Sequence, residues 1–191
     1  MKLFIQKGFH LSQLAVPARL VYTLFLTFIA IGLWTSMAMY GDRIGGDLRG
    51  APGQPSVEER YVNRPAPAAS DGPALELDEP AQAPAAPEDL KKPWVMDVFH
   101  QHLFSVSVVY LILAHLFMLT RLHPALAGSV IAVAGVGSLV HVLAPVIIWK
   151  TGSWLWLMPV TGSVMALSWS VMVLWSVWAM WFGRPPRAIE P

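Results

Sequence analysis

The chain has 191 residues, 55% of them apolar and 13% charged, with a formal net charge of +1 and no cysteine. So balanced a charge gives no purchase on a nucleic-acid backbone. The lack of cysteine excludes disulfides, iron–sulfur clusters, covalent c-type haem and cysteine nucleophiles.

Four apolar stretches dominate, approximately Leu14–Met39, Trp94–Leu119, Ala125–Trp149 and Trp154–Phe182. A span needs roughly 20 mostly apolar residues to cross about 30 Å of hydrocarbon at 1.5 Å rise per residue. In lipid each backbone amide must be satisfied inside the protein, so stretches of this length are helices. The expected fold class is therefore an all-α integral membrane protein with four transmembrane helices. It divides into a cytoplasmic N-terminus (1–13), a first span (14–40), an Ala/Pro-rich periplasmic linker (41–93), a three-helix block (94–182, as 94–119, 125–149 and 154–182) and a cytoplasmic tail (183–191).

Lys2, Lys7 and Arg19 flank the first span. Its apolar run of about 25 residues exceeds the ~7–15 of a secretory signal and lacks a small-residue cleavage site, so it reads as an uncleaved span. Pro17 suits a first helical turn. With Arg121 in the second turn and Arg184 and Arg187 after the last span, one side collects six Lys/Arg, against Lys150 alone in the short turn opposite. The positive-inside rule then places both termini in the cytoplasm and the long connection in the periplasm of a bacterium, in its inner membrane.

That connection holds nine prolines, ten acidic and six basic residues. Ala51-Pro52-Gly53, Pro65-Ala66-Pro67 and Ala83-Pro84-Ala85-Ala86-Pro87 are extended-linker sequences, suited to a tether or to a strap along a partner's outer surface. The turns Thr120–Pro124 and Lys150–Ser153 are short, so the last three spans are antiparallel neighbours. The third span is rich in small residues that allow close helix approach. Of the nine tryptophans, Trp94, Trp149, Trp154 and Trp156 fall at span ends, where amphipathic rings favour the headgroup region.

Histidine within a span marks a functional site by default. His100 and His102 lie about 9 and 12 Å into the second span, and His141 about 12 Å from the outer end of the third. Two antiparallel helices thus bring imidazoles to one level, as axial ligation of a b-type haem iron requires; copper or zinc on His100, His102 and His141 is the alternative metal reading. Gly137, one turn before His141, would leave space for a macrocycle. His100 and His102 point about 160° apart, so only one can serve a ring. The helical wheel favours His100, which shares a polar stripe with Asp97, Ser107 and His115, whereas Val106, Val109 and Leu113 give the His102 face a lipid-facing look. The depth match favours His102. Asp97 is placed to orient the imidazole of His100. His115, roughly 20 Å deeper, has no histidine at its level and is expected to hydrogen-bond across the bundle to a serine or a carbonyl. His10 and His123 fall in flanking or turn regions and read as structural. No nucleophile–base pair or phosphate loop is present, so catalysis by this chain alone is not expected.

Phe99-His100-Gln101-His102-Leu103-Phe104, Pro17-Ala18-Arg19-Leu20 and Trp178-Ala179-Met180-Trp181-Phe182 resemble elements of a group of bacterial four-span inner-membrane proteins. Members carry a His-x-His-Leu-Phe element at the start of a C-terminal three-span block. Many have a Cys-x-x-Cys-His haem c site in the external segment. This chain departs from them there, with Ala/Pro linker and no cysteine. The resemblance implies His100 and His102 as site residues and a link to respiratory or photosynthetic electron transfer. The leading expectation is an accessory subunit that meets larger membrane chains, lipid and a periplasmic c-type cytochrome. The rival is a cofactor-free scaffold or an assembly factor.

Overall fold

The computed structural model describes residues 9–44, 55–62 and 91–183. The Ala/Pro tracts of the linker, Lys2, Lys7, Arg184 and Arg187 lie outside the described residues. The described chain is all helical: a 3₁₀ turn at Leu11–Gln13, then α1 (Val16–Ile44), α2 (Val57–Tyr61), α3 (Lys92–Met118), α4 (Pro124–Thr151) and α5 (Leu157–Phe182). Four of these, α1, α3, α4 and α5, are long and apolar enough to cross a membrane, which makes the chain a multi-pass membrane protein. Proline stands in the first turn of α3 and α4, where its missing N–H costs nothing. Gly152 ends α4 at φ 63°, the left-handed conformation in which an N–H folds back onto the last carbonyls.

The helix α5 is the hub. It packs most extensively on α4, and also on α1, α3 and the 3₁₀ turn, whereas α1 and α3 make at most marginal contact. Small residues bring α4 and α5 together. A Cβ on Gly137 would stand 2.9 Å from Val164 Cγ1, and the buried Trp169 donates its indole N–H to Ser138 Oγ at 3.0 Å. The helix α3 locks onto α4 through Tyr110, whose hydroxyl donates to the carbonyl of Ile131 at 3.1 Å over Gly135. Trp181 Nε1 donates to Thr23 Oγ1 at 3.0 Å and pins α1 to α5.

The core has two parts, one at the end of the bundle where α1 begins, called the inner end, and one at the end where α2 docks, called the outer end. The inner one gathers Leu11, Leu26, Leu113, Phe117, Trp169, Met172 and Met180. The outer one joins Val57 and Tyr61 of α2 to Val95, Ala144, Ile148 and Met158. Part of the long connection is therefore not free linker. Ser56 and Glu59 form a reciprocal capping box, and the resulting turn of helix docks on the bundle. Lys91 Nζ donates to the carbonyls of Val62, at 2.9 Å, and of Glu59, and Tyr61 lies against Trp94 with ring centroids 5.2 Å apart.

The inner end is closed by the segment before α1. His10 Nδ1 accepts from the Ser12 amide at 3.1 Å, Leu11 is fully buried, and its N–H donates to the carbonyl of Leu119. Desolvation holds the pKa of His10 below 6.5; the backbone of Thr120 raises it and the charge of Arg121 lowers it further. Below pH 6.5 the undocked arm takes up a proton that the docked arm refuses. Docking is thus at full strength above pH 6.5 and weakens as the pH falls toward the lowered value. Amide exchange across residues 9–14 should accelerate between pH 7.5 and 5 relative to the helices, and His10→Gln should remove that dependence.

The α4–α5 contact makes a second prediction. Gly137→Leu forces a side chain into Val164 and should cost about 1–3 kcal/mol in detergent unfolding. Gly128→Ala, with nothing within 4 Å of the new methyl, should cost nothing.

Candidate functional site

Because α1 stands off from α3 and both flank α5, a cleft of about 620 Å³ opens between the two core clusters. This is within the roughly 300–1,000 Å³ of ordinary ligand sites. Its walls are mostly apolar, with Phe28, Leu33, Val106, Val109, Met165 and Trp169 among them. The polar groups in it are few: His102 and Ser105 from α3, His141 from α4, Ser163 from α5, and Ser36 and Tyr40 from α1.

The structure brings His102 and His141 to this one cleft, within electrostatic reach of each other. Both rings are tethered in the same way. Thr161 gives its hydroxyl proton to the carbonyl of Leu157 at 2.5 Å, so only a lone pair is left for His141 Nδ1, 3.1 Å away, and the ring N–H donates. His102 Nδ1 is 2.8 Å from the carbonyl of Val98, which can only accept. In each neutral ring the proton is therefore on Nδ1, and Nε2 carries the free lone pair. Gly162 makes the seat for His141, because a Cβ there would approach the ring to 3.2 Å. Pro145 lies four residues after His141 and has no N–H for its carbonyl, so that turn of α4 lacks a regular helical hydrogen bond.

The other expected site residues lie elsewhere. His100 is exposed on the outer face of α3, edge-on to Phe104 with centroids 5.1 Å apart. The wheel expectation for α3 is thereby corrected: Val106, Val109 and Leu113 face the bundle, the stripe of Asp97, His100, Ser107 and His115 faces outward, and His102, itself exposed, borders the cleft. The interior is made by tight apolar packing, which the polar stripe cannot provide. Asp97 is exposed, and the carbonyl of Val98, not a carboxylate, holds the Nδ1–H of the cleft histidine. His115 turns its Nδ1 to the carbonyl of Leu111 in its own helix, at 3.0 Å, and not across the bundle. Gly137 gives no room for a macrocycle, since Val164 fills the space above it; the open glycine in the cleft is Gly32 on α1, with nothing within 4 Å. Among the described residues no three His, Cys, Asp or Glu side chains converge, so His100 does not join His102 and His141 in a three-histidine centre.

A family model of a transmembrane helical domain matches residues 56–187, from the N-cap of α2 to just past α5. The chain belongs to the Aq_1264_TM transmembrane helical domain family. The family domain supplies both cleft histidines and the α5 wall, while α1, which brings Gly32 and Tyr40, precedes it. No curated protein and no solved structure matches the chain.

Thr161→Val leaves the fold intact but removes the acceptor from His141 Nδ1. Nitrogen-15 NMR of labelled histidine should then show His141 moving from the Nδ1–H toward the Nε2–H tautomer, with His102 unchanged.

Proposed function

We propose that the protein is an accessory subunit of a bacterial electron-transfer complex in the cytoplasmic membrane, and that its cleft holds one b-type haem between His102 and His141. The observation that carries this reading is the pair of imidazoles from α3 and α4 on one cleft, each with Nδ1–H tied down and Nε2 free. Axial ligation needs neutral imidazole with a lone pair on one nitrogen and an acceptor for the other. The residues fit the group on two further counts: the walls are mostly apolar, and Gly32 leaves open volume in the cleft that the histidines line. When bound, such a haem supplies one-electron transfer at its iron.

The chain's own part is to hold the rings. Thr161 and Val98 fix their tautomer, Gly162 lets His141 lie flat against α5, and Trp169, anchored on Ser138, closes the inner end. The positive-inside count supports an orientation with both termini in the cytoplasm, which puts the histidines in the periplasmic half, within reach of a periplasmic c-type cytochrome.

A second reading, a cofactor-free scaffold subunit, is favoured by the outward stripe of His100, Ser107 and His115 on α3. Polar side chains facing hydrocarbon are expensive, and a neighbouring membrane chain would cover them. The stripe supports a larger complex under either reading; only the cleft separates the two.

Protein purified in mild detergent should show a b-type band in its reduced-minus-oxidised spectrum. His102→Leu and His141→Leu should each abolish it, while His100→Leu and His115→Leu keep it. A purified protein with neither band nor iron is the scaffold.

A further inference from the structure

We infer that the outer end of the cleft is built to hold an oxygen acceptor of the bound ligand, a carboxylate at its periphery, through the hydroxyl of Tyr40. The inference rests on the cleft reading above and extends it to a third binding residue, contributed by the span that precedes the family domain.

Tyr40 lines the cleft, and its Oη is shut off from solvent with no hydrogen-bond partner among the described residues. A phenol in that state has given up its water without replacement, a cost that native proteins seldom leave uncompensated. Water is kept from it by the outer cluster. Tyr40 packs there with Val57 and Tyr61 of α2, which Lys91 holds down from the start of α3. The same cluster contains Val95, seven residues outward of His102, and Ile148, seven residues outward of His141. With Ala144 of that cluster only three residues outward of His141, the phenol sits about 5–10 Å from the histidines along the bundle, toward its outer end. That is the reach from the centre of a tetrapyrrole to a carboxylate on its rim. The apolar walls between the two levels suit the macrocycle, and a neutral O–H donor suits a carboxylate better than any other oxygen acceptor. The site is then bipartite: the two Nε2 lone pairs take the Lewis-acidic centre and Tyr40 takes the anionic edge.

The test uses the full chain, freed of bound cofactor, in detergent micelles. It is titrated with iron protoporphyrin IX and, separately, with its dimethyl ester, in which both carboxylates are capped. For Tyr40→Phe, absorbance titration should show about tenfold weaker binding of the free diacid, as expected for losing one hydrogen bond to a charged group. Binding of the ester should be the same in the two proteins. Equal affinity of Tyr40→Phe and the parent chain for the diacid overturns the role of Tyr40 and leaves the histidine site standing. Failure of the parent chain to bind either porphyrin overturns the haem reading and this inference with it. His141→Leu, losing both porphyrins alike, marks the difference between a ligand to the centre and a donor to the edge.

Discussion

The fold depends on a reciprocal contact between α4 and α5. Gly137 of α4 receives Val164 of α5, and Gly162 of α5 receives the ring of His141 from α4. Lipid tails are as apolar as the side chains they would replace, so hydrophobic burial does little to hold two spans together; close van der Waals approach and a few hydrogen bonds do. Here the glycines set the approach and the Trp169–Ser138 bond sets the register. The other helices are arranged around this pair. α3 closes on α4 by way of Tyr110 over Gly135, and α1 leans on α5 by way of Trp181 and Thr23. Nothing comparable draws α1 to α3, and the cleft is the gap that remains.

Much of this was legible in the sequence. The four spans follow from length and apolarity, and the limits of the structured helices fall within a few residues of the stretches read from composition. The small residues of the third span announced close packing, and Gly137 does pack closely. Its neighbour could not be read, because the rotation of α4 against α5 decides which glycine faces a helix and which a ring. Gly162, which seats His141, was missed for that reason. Thr161 was missed because it lies 20 residues from His141 on another helix, and no spacing rule links them. Two local signals were available: Ser56-x-x-Glu59, a capping box inside the supposed linker, and Pro145, which strips the helical bond from the carbonyl of His141.

The wheel failed on α3 for an instructive reason. A polar stripe was expected to face protein and an apolar one to face lipid. In this bundle the interior of α3 is made by Val109, Tyr110, Leu113 and Phe117, and the polar stripe lies on the outside. The rule that polar groups avoid lipid does not decide which face of α3 packs within this chain. Exposure of a polar stripe thus does not tell which face of α3 packs, and the polar residues beside the apolar face, His102 and Ser105, mark the cleft.

The three histidines of α3 and α4 that make a ring-to-acceptor bond, His102, His115 and His141, show why the environment of Nε2 matters more than the presence of an imidazole. In all three Nδ1 is spent on an oxygen of the protein. His102 and His115 are both exposed on α3, but only His102 joins His141 in lining a common cavity. That cavity is shut at its inner end by Trp169 and the core beneath it, and at its outer end by the cluster that α2 completes. Its remaining side is the seam between α1 and α3, which opens in the plane of the membrane. A ligand entering there must have an apolar body to cross lipid. Under the proposed haem reading it also has a centre that takes two neutral nitrogen lone pairs, and a polar edge that ends its travel at the level of Tyr40. These demands are met by α1, α3 and α4 together against the wall that α5 provides, and so the cleft exists only when all four spans are assembled.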